Sequence, residues 1–316
     1  MDFSTDVHED LPPLAPMNPT LQTPPMCQLE QRLTQWLWTG ASGAVVTGAA
    51  RVGKTTALDI LVPKVFDRYQ RPVPVFRVSI PRRDRPSIVS ACRQLCVAVG
   101  LRVSDRDTAD RLAETYLHYM ADTAEQFGVG QLVLVVDECQ RLTPDQFDVF
   151  AELYDRLRRI NRWLLTVFVG NDLETRMLIE RMDSDSYAHI RGRFFLNRWT
   201  FPGLRSVQDV RDCLAQYDTI RHPLDTDRSL VQGTLPEALS TDFRLATEAG
   251  LLWRVFRDQQ KRCKLGDWGM QSFSITVNTL LADLLTRYGL EALDEDMVET
   301  AIRVSGLIPD QVTVQP

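Results

Sequence analysis

The stretch "VVTGAARVGKTTALDIL", residues 45–61, decides the fold. It contains the pattern G-x-x-x-x-G-K-T at positions 48–55, between a short apolar strand pattern and a helix pattern. In such a loop the glycines let backbone amides wrap around phosphate oxygens, and the helix N-terminus adds a partial positive charge. The stretch therefore predicts a phosphate-binding loop set between a strand and a helix.

Two side chains of this loop have predicted chemical roles. Lys54 is expected to reach the β- and γ-phosphates of a nucleotide, and Thr55 to place its hydroxyl on a magnesium ion. The remaining predicted nucleotide-binding positions are Gly48, Ala50, Arg51, Val52, Gly53 and Thr56. ATP and Mg²⁺ are the expected cofactors.

Strand and helix patterns alternate along the chain around this loop. A helix is predicted over residues 54–69, and near-continuous apolar runs of strand length lie at 131–138 and 164–171. Such runs are typical of strands buried on both faces of a parallel sheet. The alternation predicts an α/β fold with three αβα layers over residues 27–203.

The pattern changes after Pro202, where the remaining periodic segments are all helical. A separate helical domain is therefore expected over residues 204–306. Residues 1–26 contain four acids, six prolines and no lysine or arginine, which predicts a flexible acidic tail. Residues 307–316 are assigned to a C-terminal tail.

Composition limits the class of protein. The 316 residues are 44% hydrophobic and 25% charged, as in ordinary globular proteins, and the net charge is −6. No apolar run reaches membrane-spanning length, and the N-terminus lacks the basic residues of a signal peptide, so a cytoplasmic protein is expected. The six cysteines show no C-x-x-C pair, which argues against a zinc or disulfide framework.

Polar residues end two of the predicted buried strands. Asp137 closes the run "LVLVVDE" and is expected to orient magnesium, while the adjacent Glu138 is the candidate general base for hydrolysis. Asn171 ends the run "LLTVFVGN" and could position the attacking water. An asparagine at such a point is also common as a turn residue or helix cap, and that alternative stays open.

Together these motifs and the trailing helical region resemble the core of an AAA+ ATPase, over about residues 30–306. The resemblance implies that Lys54 and Thr55 belong to Walker A, that Asp137 and Glu138 belong to Walker B, and that Asn171 is sensor 1. It implies ATP hydrolysis, with ATP preferred to GTP, and a helical domain that acts as a lid.

The resemblance also implies two arginine roles. Arg193 and Arg191 in "AHIRGRFF", and more weakly Arg181, are candidates for the arginine that one subunit lends to the γ-phosphate of its neighbour. Arg244 in "TDFRLATEAG" is the candidate sensor 2 residue. For each arginine the alternative is a solvated charge or a surface ion pair.

Within AAA+ proteins the sequence looks most like the TnsC, TniB and MuB group of transposition regulators, and TnsC proteins of CRISPR-associated transposons in particular. The group implies ATP-dependent oligomerisation on double-stranded DNA, as a ring or filament with six or seven subunits per turn. It implies a bridge between a TniQ-like target selector and the transposase. It also implies a bacterial protein associated with the nucleoid.

The distribution of charge favours DNA as a partner. Residues 68–111 contain ten arginines against four aspartates, most densely in "SIPRRDRPS" at 79–87. Arg82, Arg83 and Arg85 are predicted to contact phosphates of any sequence. The alternative is a solvated loop paired with the acidic tail or a neighbouring subunit. The tryptophans are scattered along the chain, which makes single-strand binding less favoured.

Two other function classes remain compatible with these motifs. One is a signalling ATPase of the STAND type whose partners are proteins, with no role on DNA. The other is a helicase loader or a secretion-associated ATPase with a similar core.

Overall fold

The computed structural model describes residues 19–83, 86–221 and 227–308. Within these residues the chain forms two compact units. The core unit comprises Thr23–Arg205 together with Asp267–Met270. The helical unit comprises the described parts of Met1–Gln22, Ser206–Gly266 and Gln271–Pro316.

A sheet of five parallel strands lies at the centre of the core unit, in the order β2-β3-β4-β1-β5. The strands are β1 Gly43–Thr47, β2 Val75–Ser79, β3 Gln131–Asp137, β4 Trp163–Val169 and β5 Asn197–Thr200. Because β4 pairs with both β3 and β1, the carboxyl ends of these three strands lie side by side.

Helices cover both faces of the sheet. They are α1 Pro24–Trp38, α2 Lys54–Leu61, α3 Ile88–Ala98, α4 Ala109–Gln126, α5 Phe147–Arg159, α6 Asp172–Arg181 and α7 Ala188–Phe194. One hydrophobic cluster joins the sheet to α3, α4 and α5, and a second joins its other face to α1 and α2. The predicted αβα arrangement is confirmed.

Local sequence signals account for several helix ends. The Ser87 side chain forms a reciprocal capping box with Ser90 at the start of α3, and Thr108 caps α4. Helix α2 ends at Leu61, well before the predicted end at residue 69. The reason is Pro63, which lies in a short 3₁₀ turn, because proline has no amide hydrogen to continue an α-helix.

Alternate residues of the central strands face opposite layers. Leu132, Leu134 and Val136 point into the cluster with α3, α4 and α5, whereas Val133 and Val135 point toward α1 and α2. All five are buried. This burial on both faces explains the unbroken apolar run in the sequence.

An aromatic cluster packs α5 and α7 against β4. Phe168 of β4 lies with ring centroids 4.9 Å from Phe147, 5.2 Å from Phe150 and 5.4 Å from Phe194. Phe195 adds a further ring at 6.3 Å from Phe168. The cluster fixes the strand whose carboxyl end carries Asn171.

The helical unit contains α8 Val207–Tyr217, α9 Leu230–Thr234, α10 Glu237–Thr241, α11 Ala249–Cys263, α12 Met270–Thr279, α13 Leu285–Tyr288 and α14 Glu295–Val304. Its described residues form no strand beyond a single bridge between Arg221 and Ser229. A capping box at Ser206 starts α8, so the unit begins two residues after the predicted boundary.

The chain ends differ in detail from the predicted tails. Helix α1 begins at Pro24, capped by the buried Thr23, rather than after residue 26. Residues 1–18 and 309–316 lie outside the described residues, so most of both predicted tails does too. None of the described helices is long and apolar enough to cross a membrane.

Replacement of Phe168 by alanine should lower the free energy of unfolding of the core unit by about 3–5 kcal/mol, because it leaves a cavity in a fully buried ring cluster. Urea unfolding followed by tryptophan fluorescence measures this loss. Leu196→Ala is the control, since that side chain is 76% exposed and should change stability by less than about 0.5 kcal/mol. A loss below about 1 kcal/mol for Phe168→Ala would contradict the role given to the cluster.

Candidate functional site

The loop between β1 and α2 has the backbone geometry that the glycine pattern predicts. Gly53 caps α2 with φ of 102°, a left-handed conformation that other residues adopt only with strain. At Gly48 a Cβ atom would lie 2.6 Å from the carbonyl oxygen of Phe201. Val52 is buried in the core, so only its backbone is available to a ligand.

Lys54 stands at the first position of α2 and reaches back over this loop. Its Nζ donates to the carbonyl oxygens of Gly48 and Ala49, both at 2.7 Å. Dehydration lowers the pKa of this ammonium group, an effect that Asp172 and Asp137 oppose in part. A partly dehydrated cation at the N-terminus of a helix is suited to phosphate oxygens.

Asp137 ends β3 next to the start of α2 and is buried. Its Oδ2 accepts a hydrogen bond from Thr55 Oγ1 at 3.3 Å, and its Oδ1 accepts from the backbone amide of Glu138 at 2.9 Å. The structure thus brings Lys54, Thr55 and Asp137 together, as the sequence predicts. The hydroxyl and carboxylate oxygens are of the type that Mg²⁺ prefers.

Arg77 of β2 is a site residue that the sequence analysis missed. Its Nη2 lies 2.9 Å from Asp137 Oδ2, and its Nη1 donates to Asp59 on α2. The charge count of residues 68–111 includes Arg77 among the arginines that favour DNA. The sequence contains one indication of a special role, because Arg77 interrupts an otherwise apolar strand. It does not indicate the partner, since Asp137 is 60 residues away.

Glu138 has the left-handed backbone values φ 58° and ψ 36°. This conformation is uncommon outside glycine and costs about 1–3 kcal/mol, a strain often found at functional sites. Its Oε2 accepts from Gln140 Nε2 at 2.7 Å and from Arg141 Nη2 at 3.0 Å. Its Oε1 has no hydrogen-bond partner among the described residues.

The segment after Glu138 also anchors the arginine-rich loop between β2 and α3. Arg141 Nη1 donates to the carbonyl oxygen of Ile80 at 2.9 Å, and Gln146 Nε2 donates to that of Ser87 at 2.7 Å. Both ends of the loop are therefore held next to the Glu138 segment. Arg82 and Arg83 are exposed on it, while Arg85 lies outside the described residues.

A cleft of about 930 Å³ opens beside Glu138. Its walls carry four guanidinium groups, three carboxylates and two amides, with one apolar side chain, Met177. The charged and amide residues are Arg82, Arg83, Arg141, Arg181, Glu138, Glu174, Glu180, Gln140 and Asn171. The candidate base, the candidate sensor 1 residue and the two described arginines of the predicted DNA-binding loop share this cleft.

Asn171 is the N-terminal cap of α6. Its Oδ1 accepts from the backbone amide of Glu174 at 2.9 Å, and its Nδ2 donates to the Glu174 carboxylate at 2.6 Å. The sequence allows Asn171 to be a helix cap, and the structure shows that it is one. Asn171 also lines the cleft, so a cap and a functional role are compatible, and its role as sensor 1 stays a prediction.

Both arginine-finger candidates are engaged within their own core unit. Arg191 Nη1 donates to the carbonyl oxygens of Met182 and Ser184 at 2.8 and 2.6 Å. Arg193 Nη1 lies 3.1 Å from Asp155 Oδ2, and its guanidinium packs over the ring of Tyr154. Their roles toward a neighbouring subunit stay predictions.

Arg181, the weaker candidate for the same role, lines the cleft of its own core unit. In the helical unit, Arg244 precedes a 3₁₀ turn at Leu245–Glu248 and pairs with Asp242 at 3.2 Å. It is half exposed, and its predicted contact with nucleotide stays a prediction.

The ten arginines of residues 68–111 do not form one basic strip. Three of them pair with nearby aspartates outside the predicted DNA-binding loop, at Arg71–Asp67, Arg93–Asp105 and Arg111–Asp107. A fourth, Arg77, pairs with Asp137 at the carboxyl end of the sheet. The described part of the predicted DNA-binding loop therefore contributes two exposed arginines.

The comparisons with known proteins agree with this geometry. Residues 39–177 match the family model described as AAA domain, and this stretch includes both acidic residues and the phosphate loop. This stretch of the chain is therefore similar to AAA domains. No curated protein matches the chain.

Solved structures with the same fold include the ORC2 protein of Aeropyrum pernix in its ADP form. It is 14% identical, with a TM-score of 0.53 over 87% of this chain and 66% of that one. The A. pernix ORC1 protein in complex with DNA is 17% identical, with a TM-score of 0.43 over 91% and 85%. The chain thus spans about two thirds of the length of the ORC2 protein, and the likeness to that structure supports the fold.

Loss of Arg77 should leave the buried Asp137 carboxylate without its guanidinium partner, which destabilises the fold. Arg77→Met should lower the free energy of unfolding by about 1–3 kcal/mol, and Asp137→Asn should recover part of that loss in the double variant. The Arg77–Asp59 pair serves as the matched control, because Asp59 is 59% exposed and such pairs contribute about 0–1 kcal/mol. Each pair is measured by a double-mutant cycle, which compares the two single variants with the double variant. Equal coupling energies for the Arg77–Asp137 and Arg77–Asp59 pairs would contradict a special role for the first.

Proposed function

We propose that this protein is an ATPase that assembles on double-stranded DNA when ATP is bound and regulates DNA transposition. The observation that carries the ATPase part of the proposal is the meeting of Lys54, Thr55 and Asp137 beside Glu138, at the carboxyl ends of neighbouring strands.

The loop amides and Lys54 would hold the phosphates of ATP. Thr55 and Asp137 would hold magnesium, directly or through water, and the ion would neutralise charge on the transferring phosphate. The described residues contain no group of three or more His, Cys, Asp or Glu side chains placed to bind a metal. The other magnesium ligands are then phosphate oxygens and water, as is usual for this ion.

Glu138 is suited to act as general base because its two oxygens are in different environments. Oε2 is held by Gln140 and Arg141, which fixes the carboxylate. Oε1 is left to accept the proton of the attacking water. Asn171 lines the same cleft and would orient that water.

Assembly would place an arginine from a second subunit at the γ-phosphate, with Arg193 and Arg191 as candidates. Hydrolysis would then depend on oligomerisation, since such an arginine contributes roughly 10³–10⁵ to the rate in related NTPases. A ring or helical filament with six or seven subunits per turn is the proposed assembly.

Duplex DNA is the proposed ligand of the arginine-rich loop. Arg82 and Arg83 are exposed and are free of carboxylate partners among the described residues, so they can bind phosphate oxygens. Arg141 and Gln146 anchor the loop, so DNA bound by it would lie next to the cleft that contains Glu138. Contacts to phosphates alone would make binding independent of base sequence.

The proposed biological role rests on the motif resemblance to TnsC proteins. The assembly would link a TniQ-like target selector to the transposase, and hydrolysis would release it. Signalling ATPases without a DNA role are the main alternative, and binding of random duplex at low salt separates the two. Absence of ATP-dependent binding would favour the signalling class.

Two substitutions separate nucleotide binding from hydrolysis. Glu138→Gln should bind ATP and assemble on DNA, but should hydrolyse ATP about 10²–10⁴-fold more slowly because the proton acceptor is lost. Lys54→Ala should neither bind ATP nor assemble. Phosphate release, binding of a fluorescent ATP analogue and electron microscopy with duplex DNA measure the three properties. DNA-bound assembly by Lys54→Ala equal to that of the wild type would defeat the mechanism.

Salt titration tests the arginine loop. Arg82→Gln/Arg83→Gln should reduce the slope of log affinity against log salt by about 2, because each lost phosphate contact removes about 0.9. Arg102→Gln/Arg106→Gln is the matched control, since both arginines are exposed on a different loop. An unchanged slope in the first variant would exclude these two arginines from the DNA contact.

A further inference from the structure

A second charged surface lies at the amino end of the sheet, opposite the candidate site. It is formed by residues 66–71, 127–130 and 158–163, and is named here the amino-edge surface. The strands β3 and β4 begin beside it, at Gln131 and Trp163. Asn171 follows Trp163 by eight residues, so the surface lies roughly 25 Å from Asn171.

Hydrogen bonds show that its three segments are contiguous. Arg71 Nη1 donates to the carbonyl oxygen of Gly128 at 2.9 Å, which joins the first segment to the second. The backbone amide of Trp163 donates to the carbonyl oxygen of Gly130 at 2.8 Å, which joins the second to the third. Residues far apart in sequence thus form one face.

Large apolar side chains are unusually exposed on this surface. Tyr69 is 81% exposed, and Phe127, Ile160 and Trp163 are each close to one half exposed. Phe66 is also exposed. Contiguous apolar exposure of this kind marks a binding surface more often than a solvated face.

The charge of the surface is positive and largely unpaired. Arg68, Arg159 and Arg162 have no carboxylate within ion-pair distance among the described residues. Arg158 packs over the ring of Trp163 at 5.4 Å, and Arg71 packs over that of Tyr69 at 5.3 Å. The one carboxylate of the three segments, on Asp67, is buried and hydrogen-bonded to Arg71.

The composition fits a protein partner better than a nucleic acid. The three segments contain five arginines and four aromatic residues but no lysine or glutamate, which resembles the centre of protein interfaces. One face of the Tyr69 and Trp163 rings is already covered by a guanidinium, which limits their use in base stacking. The aliphatic Ile160 offers nothing to a phosphate backbone.

We infer that the amino-edge surface binds an acidic segment of a partner protein, one whose carboxylates are interspersed with apolar side chains. Free arginines bind the carboxylates in bidentate fashion, and Phe127, Ile160 and Trp163 pack against the apolar side chains. The inference is independent of ATP hydrolysis and of the DNA-binding loop, because it involves none of their residues.

Fluorescence anisotropy at low salt tests the inference on the full chain. The probe is a labelled peptide rich in glutamate with interspersed leucine and phenylalanine. Two comparison probes are the same peptide with glutamine in place of glutamate, and single-stranded oligothymidylate. The acidic peptide should bind at least about tenfold more tightly than the glutamine peptide and than oligothymidylate.

Three variants locate the binding. Arg159→Glu/Arg162→Glu should weaken binding of the acidic peptide by about tenfold or more, and Ile160→Ser should weaken it through lost apolar contact. Arg102→Glu/Arg106→Glu makes the same charge change on another exposed loop and should leave binding unchanged. Thermal unfolding and binding of an ATP analogue check that each variant is folded.

Four results would overturn the inference. The first three are no binding of the acidic peptide, equal binding of the glutamine peptide, and an equal loss of acidic-peptide binding in the control variant. The fourth is preferential binding of oligothymidylate that Arg159→Glu/Arg162→Glu removes, which would assign the surface to nucleic acid. Failure of ATP or duplex binding in the wild type would instead count against the proposed function alone.

Discussion

The arrangement of the candidate site depends on one constraint, the position of β4 between β3 and β1 in a parallel sheet. Parallel strands end at the same edge, so this order brings the phosphate loop, the acidic pair and Asn171 to one place. The interior positions of β3 and β4 are almost entirely apolar on both faces. The polar residues of the site therefore lie at the strand ends, where a ligand has access.

The Arg77–Asp137 ion pair follows from this geometry. A carboxylate at the end of a buried strand needs a partner, and Arg77 on the neighbouring strand β2 supplies one at 2.9 Å. The same Asp137 oxygen accepts from Thr55. A divalent cation at this position would meet a guanidinium already in place, so Arg77 both orients the carboxylate and opposes a second positive charge. The strength of the proposed metal binding would then depend on a residue outside the predicted motifs.

The sequence predicts the layers of the fold and the residues of the phosphate loop, because both depend on local patterns. A position that needs positive φ is marked by a glycine. A strand buried on both faces is marked by an unbroken apolar run. Helix ends were less accurate, as at Pro63 and Pro24, since propensity is balanced there by capping and tertiary contacts. The roles of individual arginines could not be predicted, because each depends on a partner distant in sequence. Arg77 pairs across 60 residues, and Arg193 pairs with Asp155 across 38.

Pairing also explains why a count of charges misleads. The excess arginines of residues 68–111 lie at the sheet end, on helix surfaces and on two loops. The net charge of the segment is therefore not the charge of any one surface. The converse holds at the amino edge, where the arginine-containing segments 68–71 and 158–162 both adjoin residues 128–130, although neither segment is conspicuous alone. Electrostatic attraction acts through distances in the fold, and screening limits it to about 8–10 Å at physiological salt. Binding surfaces must therefore be inferred from unpaired charges that are neighbours in space. By that criterion we assign the two proposed binding surfaces to opposite ends of the sheet.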